Sequence, residues 1–143
     1  MTSKKRAPSK AADEAWKLMF EVLMATSHLR TASLERRGLT PNDSRALWTL
    51  DVTNGRPIGE LAREWGCDPS NATFIVGRLE NVGLARREAH ERDRRVKLVF
   101  LTRAGAKTRA ALQNEYHRPP AGVQELPARD LAALKRILKK MKC

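Results

Sequence analysis

The feature that most constrains the fold is a tight break, Gly66-Cys67-Asp68-Pro69, between two short amphipathic segments. Gly66 ends the first segment, and Asp68-Pro69 supplies a helix cap followed by a proline suited to the first helical position. The apolar residues of the two segments recur at helical spacing and are Ile58, Leu61, Ala62, then Ala72, Ile75, Val76 and Leu79. Two short helices this close together predict a helix-turn-helix unit, with its second helix running from Pro69 to about Val82.

The flanking segments predict more helices and one β-hairpin. Residues 11–35 carry a stripe that supports one long helix, and a second helix runs from Pro41 to about Val52 behind the cap Thr40. After Gly83, two short strands, 84–87 and 96–101, enclose the charged tip 89–94. A fifth helix runs from the cap Thr102 to about His117. A last helix carries the apolar seam Leu131, Leu134, Leu138 and Met141.

These elements give a mainly α chain with a small β-hairpin wing. We expect a single domain over 11–143, in which 40–101 form a winged helix-turn-helix region and 11–37 with 102–143 form flanking helices. Residues 1–10 contain Lys4, Lys5, Arg6 and Lys10 and no acid, so they are predicted to be a flexible basic arm.

Composition favours a polyanionic partner. The chain has 28 Lys and Arg against 16 Asp and Glu, a formal net charge of +12, so nucleic acid is the first candidate and an anionic membrane surface the second. No apolar stretch is long enough to span a bilayer, and no signal peptide is indicated, so a cytoplasmic location is expected. Cys67 and Cys143 lack metal-ligand spacing with each other or with the histidines, and we expect reduced thiols.

No catalytic motif is recognisable. Phosphate-binding glycine loops, a serine elbow and paired catalytic carboxylates are absent from the sequence, and His28, His90 and His117 have no second ligand at helical spacing. Neither an enzyme, a metal site nor a cofactor is therefore predicted.

The outward face of the helix after the break predicts contact with DNA. Once the apolar stripe points inward, Ser70, Asn71, Thr73, Phe74, Gly77 and Arg78 remain outside. Ser and Asn hydrogen-bond base edges, Arg grips guanine or phosphate, and a methyl or aromatic group contacts the thymine methyl. The alternative is a solvated helix face, but such faces are usually rich in Lys and Glu, and Glu80 is the only acid nearby.

The hairpin adds a projecting basic ribbon. An arginine at a thin hairpin tip suits the narrow, strongly negative minor groove. The alternative is a charged edge that blocks aggregation between sheets, and both interpretations hold together. Residues 84–103 contain three acids, Glu88, Glu91 and Asp93, against seven basic residues: Arg86, Arg87, Arg92, Arg94, Arg95, Lys97 and Arg103.

The helix after the break and the charged hairpin resemble those of the MarR family of regulators. The resemblance covers nearly the whole chain. The wing carries that family's signature in Asp93-Arg94-Arg95, Leu101-Thr102 and Gly105. The chain departs from the family pattern at Phe74 and Gly77, where many members have polar or charged residues, so a base preference does not carry over. The recognition-helix match consists of Asp68-Pro69-Ser70-Asn71-Ala72-Thr73, Arg78-Leu79-Glu80 and Gly83-Leu84.

The resemblance implies a sequence-specific transcriptional regulator, a ligand-responsive repressor that binds a pseudo-palindromic double-stranded operator as a homodimer. The first, fifth and last helices would form the dimer interface, and the seam on the last helix fits this independently. Arg95 would enter the minor groove, and Asp93 would hold the wing by pairing with Arg87 or with Arg95 itself. The DNA contacts are thus predicted to be Ser70, Asn71, Thr73, Phe74, Arg78, Arg94, Arg95 and Lys97.

The resemblance also implies a small effector, often phenolic or otherwise aromatic, bound between the dimer helices and the winged domain. Trp16, Phe20, His28, Trp48 and Tyr116 are the candidate lining residues, and the alternative for Trp16, Phe20 and Trp48 is that they belong to the core. Two other functions stay open. One is a nucleoid-type or interaction module that binds DNA without sequence specificity, and the other is a thiol switch at Cys67.

Overall fold

The computed structural model describes residues 9–141. Most of the predicted basic arm, and Cys143, lie outside the described residues. The sequence predicts Ser9 and Lys10 as part of that arm, but Lys10 begins the first helix and the Ser9 hydroxyl caps it by accepting from the Ala12 N–H at 3.1 Å. The elements are α1 (Lys10–Ala25), α2 (Ser27–Glu35), α3 (Pro41–Thr49), β1 (Arg56–Pro57), α4 (Ile58–Trp65), α5 (Pro69–Asn81), β2 (Ala85–Ala89), β3 (Lys97–Leu101), α6 (Arg103–Tyr116), α7 (Ala121–Gln124) and α8 (Ala128–Met141).

The fold class is as predicted, whereas the prediction of a single long N-terminal helix is wrong. α1 and α2 are separated at Thr26, whose ψ is 0°. The Thr26 hydroxyl lies 3.0 Å from the Val22 carbonyl and 3.1 Å from the Leu23 carbonyl, and Arg30 also donates to Leu23 O at 2.9 Å. A side chain that bonds to the preceding turn in this way competes with the helical backbone ladder and bends the helix.

The core of the described residues is one cluster that runs from α2 to α6. It joins α3, α4 and α5 to the sheet, and its chain-spanning members explain why the helix-turn-helix and the hairpin fold as one unit. The largest completely buried apolar side chains are Leu47, Leu50, Leu61, Leu79, Leu101, Leu112, Val76 and Val99.

The sheet has three antiparallel strands in the order β1-β3-β2, one more than predicted. β1 is only two residues long and pairs Arg56 with Val99 and Pro57 with Leu98. Its shortness and its proline hid it from the sequence pattern, since proline is confined to sheet edges. β2 and β3 form the predicted hairpin, with Ala85 opposite Leu101 and Ala89 opposite Lys97.

The junction of the wing with α6 explains the spacing of Thr102 and Gly105. Thr102 Oγ1 donates to the Gly83 carbonyl at 2.6 Å and caps α6 by accepting from the Gly105 N–H at 2.9 Å. A Cβ on Gly105 would lie 2.1 Å from the Leu84 carbonyl oxygen, so this close approach of helix and strand requires glycine.

The terminal helices differ from the rest of the chain. Neither α1 nor α8 contains a buried residue, although both carry many large apolar side chains. α7, a single turn between Pro120 and Glu125, lies where the sequence pattern predicts only a loop. Within residues 9–141, no helix is both long and apolar enough to cross a membrane.

Candidate nucleic-acid interface

α5 presents the outward face that the sequence predicts. Asp68 precedes the helix in extended conformation, and Pro69 occupies its first turn. The stripe of Ala72, Ile75, Val76 and Leu79 is buried, as expected. Ser70, Asn71, Thr73 and Phe74 are exposed, whereas Gly77 and Arg78 are half-buried. Within residues 9–141, the side chains of Ser70 and Asn71 make no hydrogen bond, so their polar groups are available to a partner.

Arg78 is turned towards the protein rather than fully outward. Its Nη2 lies 3.0 Å and its Nε 3.3 Å from the two carboxylate oxygens of Asp43, which is 1% exposed. Asp43 also completes a capping box with Thr40 at the start of α3. Arg78 therefore fixes α5 against α3, a role that its position on the helix did not predict.

The surroundings of Asp43 stabilise its charged form. Burial by itself would raise the pKa of Asp43, but hydrogen bonds from the Arg78 guanidinium and from Thr40 outweigh it, so the pKa lies below its ordinary value. The same carboxylate raises the pKa of Arg78. Separating α5 from α3 would leave this buried carboxylate without its partner, which is costly.

A second ion pair fixes α5 to the wing. Arg87 Nη2 in β2 lies 2.5 Å from Glu80 Oε1 near the end of α5. Of the two arginines predicted to pair with Asp93, Arg95 does so, whereas Arg87 pairs with Glu80 instead. α5 is thus held by Arg78 on one side and by Glu80 on the other.

The tip of the wing is organised by Asp93. Its Oδ1 accepts from the backbone N–H of Arg95 at 3.0 Å and from Arg95 Nε at 3.2 Å, while His90 and Val96 pair across the base of the turn. The Arg95 side chain remains 92% exposed. A guanidinium held at its root and exposed along its length is suited to insertion into a narrow groove.

The basic residues of the wing separate into two sets. Arg86 pairs with Glu88 and lies over the Phe100 ring at 4.4 Å from its centroid. Arg92, Arg94 and Lys97 are exposed, and within the described part of the chain no carboxylate forms an ion pair with them. The positive charge that is not neutralised internally therefore lies at the tip and along the start of β3.

Comparison with known proteins identifies relatives of this chain. A sequence profile of the MarR family matches residues 37–96. The transcriptional activatory protein BadR of Rhodopseudomonas palustris is 34% identical over 115 residues, which span 73% of this chain and 66% of BadR. The chain belongs to the MarR family. It matches less than two thirds of the length of BadR.

Solved structures of MarR-family regulators share the fold. The multiple antibiotic-resistance repressor MarR of Listeria monocytogenes superposes with a TM-score of 0.80 at 17% identity, covering 93% of each chain. MepR of S. aureus, in a complex with DNA, superposes with a TM-score of 0.66 at 19% identity, covering 88% of this chain and 99% of MepR. The likeness extends over the terminal helices as well as the winged region.

The aromatic residues predicted for an effector pocket of this MarR-family chain lie in two places. Trp48 in α3 stacks on Tyr116 in α6, with ring centroids 5.9 Å apart. Trp16 and Phe20 are 64% and 53% exposed on α1, and His28 is exposed on α2 with Nδ1 2.9 Å from the Ala25 carbonyl. The alternative that Trp16, Phe20 and Trp48 form the core is wrong for the single chain, because all three are exposed.

Cys67 packs against the hydrophobic cluster as a half-buried residue in the turn before α5. Among residues 9–141, no group of three or more His, Cys, Asp or Glu side chains is arranged to hold a metal ion. The thiol therefore contributes to packing at the helix-turn-helix break.

Sequence reasoning missed the groups that position the interface. Asp43 was recognised only as an acid favourable to the first turn of α3, yet it is the anchor of Arg78, 35 residues away. The sequence pattern gives no indication of Glu115 in α6, although Ser33 of α2 and the two arginines that follow α2, Arg36 and Arg37, all donate to it. No local pattern identifies such pairs, because each joins elements that are distant in sequence.

Proposed function

We propose that this chain is a homodimeric transcriptional regulator that binds a specific double-stranded operator through α5 and the wing. The observation that carries the proposal is the set of polar and basic groups left without internal partners on these two elements. Ser70 and Asn71 occupy the start of α5, where a recognition helix meets base edges. Arg92, Arg94 and Lys97 lie on the wing, where phosphates would neutralise them.

The division of labour between the two elements follows from their chemistry. α5 has small polar residues at its exposed start, which allow close approach and hydrogen bonding to base edges. The wing carries arginine, which suits the width and negative potential of the minor groove. α5 would then supply sequence preference and the wing most of the salt-dependent affinity.

The terminal helices support a dimer. α1 exposes Trp16, Leu18, Phe20 and Val22, and α8 exposes Ile137, Leu138 and Met141, each by more than two fifths of its surface. Apolar surface of this extent is costly in water and marks an association surface. Two copies joined through α1, α6 and α8 would present two α5 helices to a pseudo-palindromic operator. Sedimentation velocity on the full chain tests this, and a monomer at micromolar concentration would contradict it.

Repression relieved by a small aromatic effector is the proposed mode of regulation. A dimer bound across a promoter blocks polymerase, which makes repression the direct outcome of operator binding, whereas BadR is named an activatory protein. The stacked pair Trp48 and Tyr116 offers an apolar wall with one hydroxyl, the kind of surface that aromatic ligands bind. A reporter fused to the selected operator decides the direction, since increased expression in the presence of the chain would exclude repression.

The decisive experiment compares Arg95→Ala with Arg129→Ala. Both arginine side chains are 92% exposed and both lie beside an acid close in sequence, but Arg95 is on the wing and Arg129 on α8. Arg95→Ala should weaken operator binding about tenfold in a fluorescence titration, with the melting temperature unchanged. Arg129→Ala should change neither quantity. Equal affinities for both variants would remove the wing from the interface.

Binding without sequence specificity is the second candidate, and the net charge of +12 favours it, since phosphate contacts alone give appreciable affinity. Competition between the selected operator and a random duplex at fixed salt separates the two functions. Displacement by random duplex at the same concentration as by operator supports the second candidate. An excess of at least a hundredfold supports the operator-binding regulator.

A further inference from the structure

Phe74 is the one large apolar side chain on the outward face of α5. It is 64% exposed, as much as Trp16 on the unpartnered helix α1. The other large apolar residues of α5, Ile75, Val76 and Leu79, are buried. An aromatic ring that is mostly exposed on the outward face of a helix is costly in water unless a partner covers it.

The neighbours of Phe74 leave space for a partner. Three residues before it is Asn71, and three residues after it is Gly77, where an added Cβ would meet nothing within 4 Å. Thr73 Oγ1 donates its proton to the Pro69 carbonyl at 2.8 Å, so this hydroxyl offers no donor to a ligand. The exposed face therefore presents an aromatic ring flanked by one amide side chain and an open gap.

α5 also lacks a free cation. Arg78 is the only Lys or Arg between residues 69 and 81, and its guanidinium is held by the buried carboxylate of Asp43. Bidentate contact from Arg or Lys to guanine is the commonest specific contact in the major groove, and the one such side chain on α5 is already engaged through Nε and Nη2 by Asp43. The remaining groups match the other base pair: an amide suits the N6 and N7 edge of adenine, and a ring suits the thymine 5-methyl group.

We infer that Phe74 and Asn71 select operator half-sites centred on A·T pairs. Phe74 would pack on the 5-methyl group of one thymine in the major groove. This inference rests on the proposed function, because it assumes that α5 enters the major groove. It makes Phe74 the specificity-determining residue and Arg78 the residue that positions it. A guanine-centred half-site would be read poorly by this helix.

The test uses duplexes that differ by one methyl group. The operator is first selected with the full chain from random duplexes, and each half-site thymine is then replaced in turn by deoxyuridine, which lacks only the 5-methyl group. At one position, replacement should weaken binding about fourfold per half-site, the effect of removing one methyl group from an apolar contact. Replacement at the other positions should have no effect.

Two variants connect the effect to Phe74. In Phe74→Ala the thymine and deoxyuridine duplexes should bind equally at that position. In Val82→Ala, which removes another apolar side chain, 56% exposed just after α5, the fourfold difference should persist. Circular dichroism should show that both variants melt as the parent chain does, since both side chains are exposed.

The outcomes separate the inference from the function beneath it. The inference is overturned, and the proposed function left intact, if the chain binds a specific operator but no position is sensitive to deoxyuridine. The same holds if one position is sensitive but Phe74→Ala does not remove that sensitivity. A selected half-site centred on G·C pairs does the same. Equal affinity for all duplexes overturns both.

Discussion

The winged region and the terminal helices use the same kind of amphipathic pattern with opposite results. In α4 and α5 the apolar stripe is buried within the chain, down to 0% exposure at Leu61, Val76 and Leu79. In α1 an equally apolar stripe leaves Trp16 and Phe20 more than half exposed. A helical stripe therefore predicts that a face is buried, but not which chain buries it.

The difference shows which helices have apolar faces that the single chain does not bury. The core cluster runs from Leu34 to Leu112, so the winged region is stabilised within one chain. α1 and α8 lie outside that cluster and have no buried residue. A second copy of the chain is the proposed cover for these helices, and mutations in the two regions should then behave differently with protein concentration.

The largest expected effect comes from Leu47→Ala. Leu47 is completely buried in α3, so its truncation should lower the free energy of unfolding by about 3 kcal/mol through lost burial and a residual cavity. The loss should be the same at all protein concentrations. Urea titrations followed by circular dichroism at two concentrations a hundredfold apart measure it.

Phe20→Ala is the matched change in the terminal helices. Its side chain is 53% exposed in the single chain, so the variant should unfold at nearly the parental urea concentration when dilute. When concentrated, it should lose the extra stability that the parent gains from association. A destabilisation of Phe20→Ala that does not depend on concentration would contradict this comparison.

The second effect is the loss of the anchor between α5 and α3. Arg78→Ala leaves the buried carboxylate of Asp43 without its guanidinium, so urea titration should show a loss of stability, smaller than that of Leu47→Ala because Arg78 is half-exposed. Arg94→Ala, which removes an exposed wing arginine, should cost less than about 0.5 kcal/mol. Equal stability of the two variants would show that Arg78 does not position α5.

Signals that lie within one segment, such as proline and apolar periodicity, predicted the helices and the hairpin. Pro69 and the four-residue stripe predicted α5 to within one residue of its end at Asn81, because a proline in the first turn and apolar periodicity act within one helix. Asp68 occupies the expected cap position, but its side chain makes no capping hydrogen bond. The hairpin and α6 were found for the same reason. The break at Thr26 was missed because a threonine within a helical stripe resembles any other polar position until its hydroxyl bonds backward.

The candidate site was predicted less completely than the fold. The outward face of α5 followed from periodicity, so Ser70, Asn71, Thr73 and Phe74 are exposed as expected. The partners of Arg78 and Arg87 were not predictable, since Asp43 and Glu80 meet them only after the tertiary fold forms. Which arginines remain free for DNA is thus a property of the folded chain rather than of its charge count.

A third, smaller effect separates stability from binding within the winged region. Gly77→Ala should raise the free energy of unfolding by roughly 1 kcal/mol, because alanine is the better helix former and the added Cβ meets nothing within 4 Å. It should also weaken operator binding, because the methyl group lies on the face assigned to DNA. Gly59→Ala, on the exposed start of α4 with equal space, is the control and should leave operator affinity unchanged. Parental affinity in Gly77→Ala would remove this part of α5 from the interface.

The smallest effect concerns Glu115, which joins α6 to α2 at the boundary between the two regions. Arg37 Nη2 lies 2.6 Å from Glu115 Oε1 and Arg36 Nη2 2.7 Å from Oε2, and the Ser33 hydroxyl also donates to Oε2. Hydrogen bonding from Arg37, then from Ser33, and the charges of both arginines lower the pKa of Glu115 from 4.5 to about 2.

Because the folded-state pKa of Glu115 is depressed, its contribution to stability is complete above about pH 4.5 and is lost as the pH falls towards 2. The melting temperatures of the parent and of Glu115→Gln should differ most at neutral pH and converge between pH 4.5 and 2. Glu125→Gln, which removes an exposed acid beyond α7, is the control and should leave the melting temperature at neutral pH unchanged. A constant difference between the parent and Glu115→Gln over that range would mean that the carboxylate is not ionised in this network, and that α2 is held to α6 by packing instead.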